Sequence, residues 1–288
     1  MDSTGGAHPA ANGRLTCTLC PHACRLRTGE TGFCRARWND GGIIRAKNYG
    51  RLTALALDPI EKKPLYHFYP GNFILSVGSF GCNLACPFCQ NAGIAMADDT
   101  AETEYVTPAR LAALAEELRR QPRGNCGVAF TYNEPLVGYE YILDSAPLLH
   151  AVGMKVVLVT NGMICSEPLE RLLPHVDAMN IDLKGWRADF YQRLGGDLAT
   201  VKATIARAAE SGVHVEVATL VIPGGNDRAE DMDAEARWLA SLSPAIPLHI
   251  SRYFPRHRLS TPPTPITDID RLTEIARRHL RHVHRGNC

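Results

Sequence analysis

Net charge is what this chain has least of: 31 Lys and Arg against 30 Asp and Glu leave +1 with histidine neutral. A surface without an excess of one sign has no field to steer nucleic acid, so no nucleic-acid partner is expected. The arginines between positions 252 and 285 read as a solvated face. No apolar run approaches the ~20 residues that cross a bilayer, and residues 1–14 lack the basic start and apolar core of a secretory signal. No membrane partner is expected either. Low-complexity tracts are also missing. With 45% hydrophobic content over 288 residues, the chain can bury one large core, and one barrel with a small accessory lobe fits better than two equal domains.

Cysteine is not scarce. The ten cysteines gather as C-x2-C-x3-C near the start and C-x3-C-x2-C further in. In a chain of this length such clusters are the pattern of metal ligands rather than of a disulfide framework, and a reducing cytoplasm is the expected compartment. The second cluster organises the chain: Gly81-Cys82-Asn83-Leu84-Ala85-Cys86-Pro87-Phe88-Cys89 follows the apolar run 73–77. Three thiolates can hold three irons of a cuboidal [4Fe–4S] cluster and leave the fourth iron open to a small molecule. Positions 82, 86 and 89 also follow the spacing of a buried helix face. Pro87 opposes that, because a proline inside a helix costs about 3 kcal/mol. Structural zinc usually closes with a fourth ligand, commonly in paired C-x2-C knuckles, and the triplet lacks that form.

Residues 1–13 are small and polar and are expected to be disordered. Residues 14–70 read as a Cys-rich lobe and linker. There Cys17, Cys20, Cys24 and Cys34, with glycines between them, can close around zinc or an auxiliary iron–sulfur cluster, or simply pack as reduced thiols. A metal would staple a lobe too small to build its own core. The segment Asp58-Pro59-Ile60-Glu61-Lys62-Lys63-Pro64-Leu65-Tyr66-His67-Phe68 reads as a linker packed on the next domain, 71–288. In that domain short apolar runs alternate with helical patterns, which predicts repeated βα units and a parallel sheet. Strands are expected at 73–77, 127–132, 155–160, 178–183, 214–222 and 247–253. Helices are expected at 108–120, 135–150, 166–173, 198–211 and 228–241, with a further C-terminal helix. Six units are too few to close an eight-stranded barrel, so the expected fold is α/β, an open, partial (βα)6 TIM-like barrel.

In such a barrel the reactive groups sit where strands end. Polar residues fall there repeatedly: the Cys82 loop, Tyr132-Asn133-Glu134-Pro135, Thr160-Asn161-Gly162, Asp182-Leu183-Lys184, Pro223-Gly224-Gly225-Asn226 and Ser251-Arg252-Tyr253. Core packing gives no reason for this bias, so one shared site is expected. Glu134 suits a charge-assisted bond to a cation or a helix first-turn position. Asn133 and Asn161 suit ribose hydroxyls, a ligand carboxylate or loop capping. Lys184 offers positive charge that Asp182 can orient, or the two form a structural ion pair. Gly224 and Gly225 admit a ligand close to the backbone, or make a plain turn. Cys126 and Cys165 read as buried structural thiols.

The C-x3-C-x2-C loop resembles the signature of the radical S-adenosylmethionine (radical SAM) enzymes. With Cys17-x2-Cys20-Pro21, the 58–68 segment and Thr131-Tyr132-Asn133-Glu134-Pro135, the chain resembles the AmmeMemoRadiSam-system radical SAM enzymes, relatives of the pyruvate formate-lyase activating enzymes. The resemblance implies a [4Fe–4S] cluster on Cys82, Cys86 and Cys89, with SAM chelating the open iron. It makes Asn133, Glu134, Asp182 and Lys184 expected SAM contacts, and Asn161 joins them by its place at the end of the third expected strand. An electron from a reductant such as flavodoxin or ferredoxin would cleave a C–S bond of SAM. The resulting 5′-deoxyadenosyl radical would abstract hydrogen from an unidentified substrate, a protein being one candidate. The activating enzymes place a SAM-binding histidine at the end of the sixth strand, where this chain has Arg252-Tyr253-Phe254 and His249 lies a few residues early. That departure counts against glycyl-radical activation, which stands as a second function; a non-enzymatic iron–sulfur or zinc protein is the third.

Overall fold

The computed structural model describes the backbone of residues 7–10 and all of residues 13–288. Its main sheet has eight strands: β1 Ala54–Pro59, β2 Phe73–Gly78, β3 Gly127–Phe130, β4 Lys155–Thr160, β5 Ala178–Asp182, β6 His214–Val221, β7 Leu248–Arg252 and β8 Val283–Gly286. They lie side by side in chain order, from β1 at one edge to β8 at the other. Pairing from β2 to β8 is parallel, with partners such as Val128 and Leu75, Ile181 and Val217, and His249 and His284. β1 runs antiparallel to β2, Leu57 facing Leu75. Strands such as Lys155–Thr160 carry an unbroken apolar run, residues 156–159, because a parallel sheet is covered on both faces.

The helices that cover the sheet are α1 Pro108–Arg119, α2 Tyr139–Ala151, α3 Ser166–Leu172, α4 Leu198–Glu210, α5 Ala229–Leu242 and α6 Ile266–Arg277. Local chemistry sets their starts. The Thr107 side chain accepts the Arg110 N–H, with Pro108 in the first turn, and Asp197 accepts the Thr200 N–H at 2.8 Å. Pro135 opens a 3-10 turn, Pro135–Gly138, so the helix expected from 135 begins at Tyr139. All six expected strands are present. The sheet runs past them at both edges, adding β8 as a seventh parallel strand and β1 from the end of the expected lobe.

The segment between β1 and β2 packs on the barrel, as the sequence suggests, and plugs its base. Ile60 and Leu65 are fully buried with Ile74, Ala129, Val157 and Ala178 from the lower halves of the strands. Asn180 donates to the Pro64 carbonyl at 2.8 Å, and the N–H groups of Tyr66 and His67 donate to the Glu216 carboxylate at 3.0 and 2.8 Å. The ring nitrogens of His67 and His284 lie 2.9 Å apart, so this strap reaches across to β8, the far edge of the sheet.

The N-terminal lobe is small sheets: Arg14–Cys17 between Ala7–Ala10 and Arg25–Leu26, and the hairpin of Arg37–Asp40 with Ile43–Ala46. Disorder was the expectation for 1–13, but Ala7–Ala10 pairs antiparallel with Arg14–Cys17; residues 1–6 and 11–12 lie outside the described residues. Buried Arg37 ties the lobe to α2 through an ion pair with Glu140, at 2.7 Å to Oε1.

Candidate functional site

The loop after β2 is irregular through Cys89; only the short helix Ala92–Ala95 follows it. Distant segments hold its shape. Gly81 has φ +90°, and a Cβ there would lie 2.6 Å from the Cys34 carbonyl oxygen, so only glycine fits. The Cys82 N–H donates to that same carbonyl at 3.2 Å. From the loop after β3, Asn133 accepts the Ser79 N–H at 3.0 Å and donates to the carbonyls of Phe80 and Gly81, both at 3.1 Å. Within the loop, Asn83 donates to the Met163 carbonyl at 2.7 Å and accepts from the Asn161 amide at 2.8 Å. The Ala85 N–H reaches the Leu194 carbonyl, and the Pro87 carbonyl accepts the Arg258 N–H from beyond β7. Loops after four different strands thus brace one cysteine loop.

Burial pushes the Cys82 and Cys89 thiols up and Cys86 to about 11; nearby negative charge adds to the rise, from Glu134 and the other thiols at Cys82, from Cys89 and Asp182 at Cys86, and from Asp182 at Cys89. Three bare thiolates are therefore costly here, and a bound cationic group would remove that cost. The surroundings favour the charged form locally: the Leu84 N–H points at Cys82 Sγ at 3.3 Å, and Lys184 lowers Cys86 and Cys89. Burial alone would lower Lys184, but Asp182, 2.8 Å away, and the charges of Cys86 and Cys89 hold it above its ordinary range. The donor set and its charge fit an iron–sulfur cluster.

The five other expected site residues divide in three. Asp182 and Lys184 form the oriented pair and face the thiols. Asn133 and Asn161 spend their amides on bracing; Asn161 also lies 3.7 Å from Cys82 Sγ. Glu134 is buried and accepts from the Thr160 hydroxyl at 2.6 Å, the Asn161 N–H at 2.8 Å and the Leu136 N–H at 3.1 Å. Burial still pushes it up to about 7. A carboxylate has roughly four acceptor positions, so capacity for one further donor remains. Gly224 has φ +71° and open space around it, a turn glycine. Two more braces escaped the sequence reading. Asn226 donates to the Lys184 and Leu220 carbonyls at 2.7 and 2.8 Å, and the Tyr191 hydroxyl accepts the Lys184 N–H at 2.9 Å. Asn226 sits at a strand end where polarity was noted; nothing local marks Tyr191.

The lobe cysteines come together. Cys17, Cys20, Cys24 and Cys34 line a single tight recess of about 10 Å³ with His22 and Arg37. Among the described residues no three His, Cys, Asp or Glu side chains converge as around one metal ion. All ten cysteines are free thiols. Cys126 packs against the plug, and the Cys165 N–H donates to the Leu19 carbonyl, both in structural positions.

A thiol triplet at the strand-end mouth of an open parallel barrel, beside a half-buried Lys–Asp pair, is the architecture of a cluster-dependent radical enzyme. The model of the Radical SAM superfamily matches residues 76–238, more than half of the chain, and the chain belongs to that superfamily. It is similar to an uncharacterized protein of Methanocaldococcus jannaschii, 39% identical over 280 residues, covering 95% of this chain and 81% of that protein. It is also similar to the benzylsuccinate synthase activating enzyme of Thauera aromatica, 30% identical over 122 residues, 42% of this chain and 37% of that one. A solved radical SAM methyltransferase from Sphaerobacter thermophilus shares the fold, with a TM-score of 0.58 at 20% identity over 76% of this chain and 67% of that chain. The protein is thus a radical SAM enzyme, using a [4Fe–4S] cluster and SAM to generate a radical, with relatives among the activating enzymes. No helix among the described residues is long and apolar enough to cross a membrane.

Proposed function

We propose that Cys82, Cys86 and Cys89 are the cluster ligands and that the chain is an AmmeMemoRadiSam-type enzyme abstracting hydrogen from an unidentified substrate, in a reducing cytoplasm. When bound, the cluster supplies the electron that cleaves the sulfonium C–S bond of SAM. Lys184, steered by Asp182, places positive charge beside Cys86 and Cys89. Glu134 offers its remaining acceptor position to the SAM ammonium, while Asn133 and Asn161 act mainly by fixing the loop and only secondarily as ligand contacts. The observation that carries this reading is the convergence of four strand-end loops on one cysteine loop, with Cys86 buried and Cys82 and Cys89 half-buried. A low-potential donor of the flavodoxin or ferredoxin class completes the system.

The test is anaerobic reconstitution followed by assay for 5′-deoxyadenosine with SAM and dithionite. The expected result is reductant-dependent product from the parent and none from Cys86→Ala. A fully iron-loaded parent that never forms it refutes the proposal. The likeness to the benzylsuccinate synthase activating enzyme favours a second reading, in which the substrate is a protein loop. That reading predicts a stable organic radical on the partner after incubation, and a partner that stays diamagnetic counts against it.

A further inference from the structure

We propose that Asp58, Lys63 and Tyr132 form a strut inside the barrel that aims Glu134, so that side chains at the base act as positioning residues for the SAM site at the mouth. The aim rests on the contact between Glu134 and SAM proposed above; the strut does not.

Tyr132 leaves β3 with φ +72°. That left-handed backbone is uncommon for any residue with a Cβ and an outlier for one as bulky as tyrosine, so the surroundings have to enforce it. The Tyr132 hydroxyl donates to Asp58 Oδ2 at 2.7 Å, and Lys63 Nζ donates to the same oxygen at 2.8 Å while lying 4.6 Å from the centre of the Tyr132 ring. On the other side β2 ends in Gly78, where a Cβ would come within 2.8 Å of the ring, so a side chain there would displace it. The Asn91 amide, just beyond the thiol loop, donates to the Tyr132 carbonyl at 2.8 Å. Ring and backbone are both held.

The lower anchor belongs to the plug. Lys63 is 3% exposed and sits in the strap between Ile60 and Leu65, the two residues wedged under the strands. Burial pushes the Tyr132 phenol up to about 12 and the bond to Asp58 adds to the rise, so the phenol keeps its proton and stays the donor. The φ of Tyr132 sets the direction in which residues 133 and 134 leave the strand. Glu134 then meets the Thr160 hydroxyl and the Asn161 N–H at the end of β4. Freed from Asp58 and Lys63, the turn can relax toward ordinary backbone and carry the carboxylate off those donors. Asn133 serves the other direction, its side chain bracing the entry to the thiol loop.

The test compares the full-length parent with two variants. Asp58→Asn with Lys63→Met removes both charges at the base together, and Tyr132→Gly tolerates the left-handed backbone but lacks the ring. In the metal-free chains, hydrogen–deuterium exchange read by mass spectrometry should quicken about fivefold or more over residues 131–136 in both variants and stay parental over Lys155–Thr160. Unchanged exchange over 131–136, or equal quickening over Lys155–Thr160, overturns the strut. After anaerobic reconstitution to the parental iron content, equilibrium dialysis should show both variants binding SAM about fivefold or more weakly, and the SAM-dependent change in the EPR signal of the reduced cluster should need correspondingly more SAM. Quickened exchange with SAM affinity closer to the parent than that overturns the aim. Glu134→Gln that binds SAM as the parent does would overturn the contact proposed above and leave the strut standing.

Discussion

Replacing Asn133 with alanine separates a brace from a ligand contact. The Asn133 side chain accepts the Ser79 N–H and donates to the carbonyls of Phe80, Gly81 and Glu134 at 3.0 to 3.2 Å. At about 1 kcal/mol net for each hydrogen bond, less what water restores to a half-buried site, Asn133→Ala should cost about 2–4 kcal/mol. With roughly 2 °C of melting temperature per kcal/mol in a chain of this size, the metal-free variant should melt about 4–8 °C below the parent. Circular dichroism melts and urea titrations of both apo proteins measure this, and iron loading after reconstitution should fall with it. The SAM affinity of whatever fraction retains its cluster should stay within about threefold of the parent, under 1 kcal/mol. An unchanged melting temperature together with SAM binding weakened tenfold or more, about 1.4 kcal/mol, would show that Asn133 touches the ligand and that the bracing account is mistaken.

Glu235 is buried on α5, where burial pushes it up to about 8 against one bond from the Thr219 hydroxyl. Its folded-state pKa is raised, so the stability linked to it is full below its ordinary 4.5 and is lost as pH climbs through about 8. Urea midpoints at pH 6 and 9 should fall in the parent by an amount on the order of 2 kcal/mol and change much less in Glu235→Gln; parallel curves would refute this. Glu216 runs the other way. Burial would raise it, but bonds from His214, His249 and the N–H groups of His67 and Tyr66 hold it at about 2. Its contribution is present above 4.5 and lost as pH falls toward 2, so Glu216→Gln should flatten the acid limb of the stability profile, which acid titration of ellipticity reads directly. Arg37→Met strands the Glu140 carboxylate and should cost about 3–5 kcal/mol, with part regained in the Arg37→Met, Glu140→Gln double variant. A purely additive double-variant cycle would mean the pair does not hold the lobe.

The six central strands were legible because apolar content, length and flanking polar residues agree at each, as at Lys155–Thr160. The two edge strands were not. Ala54–Pro59 ends in a proline and runs straight into the strap, and Val283–Gly286 is four residues with a histidine and an arginine, neither long nor apolar enough to stand out. At the site, the Asp182–Lys184 pair was legible because it is local in sequence. The bracing role of Asn161 could not be foreseen, since its partner Asn83 lies 78 positions away, and the same holds for Arg37 and Glu140, 103 positions apart. Residue type announces that an amide can bond; only the fold says to what.

The strap between β1 and β2 has a kinetic corollary. With Ile60 and Leu65 wedged under the strands and Glu216 tethering the next two residues, the barrel is a cup with a stopper rather than a tube. What reaches the thiol loop, and what leaves it, then has the rim at the strand ends for a doorway.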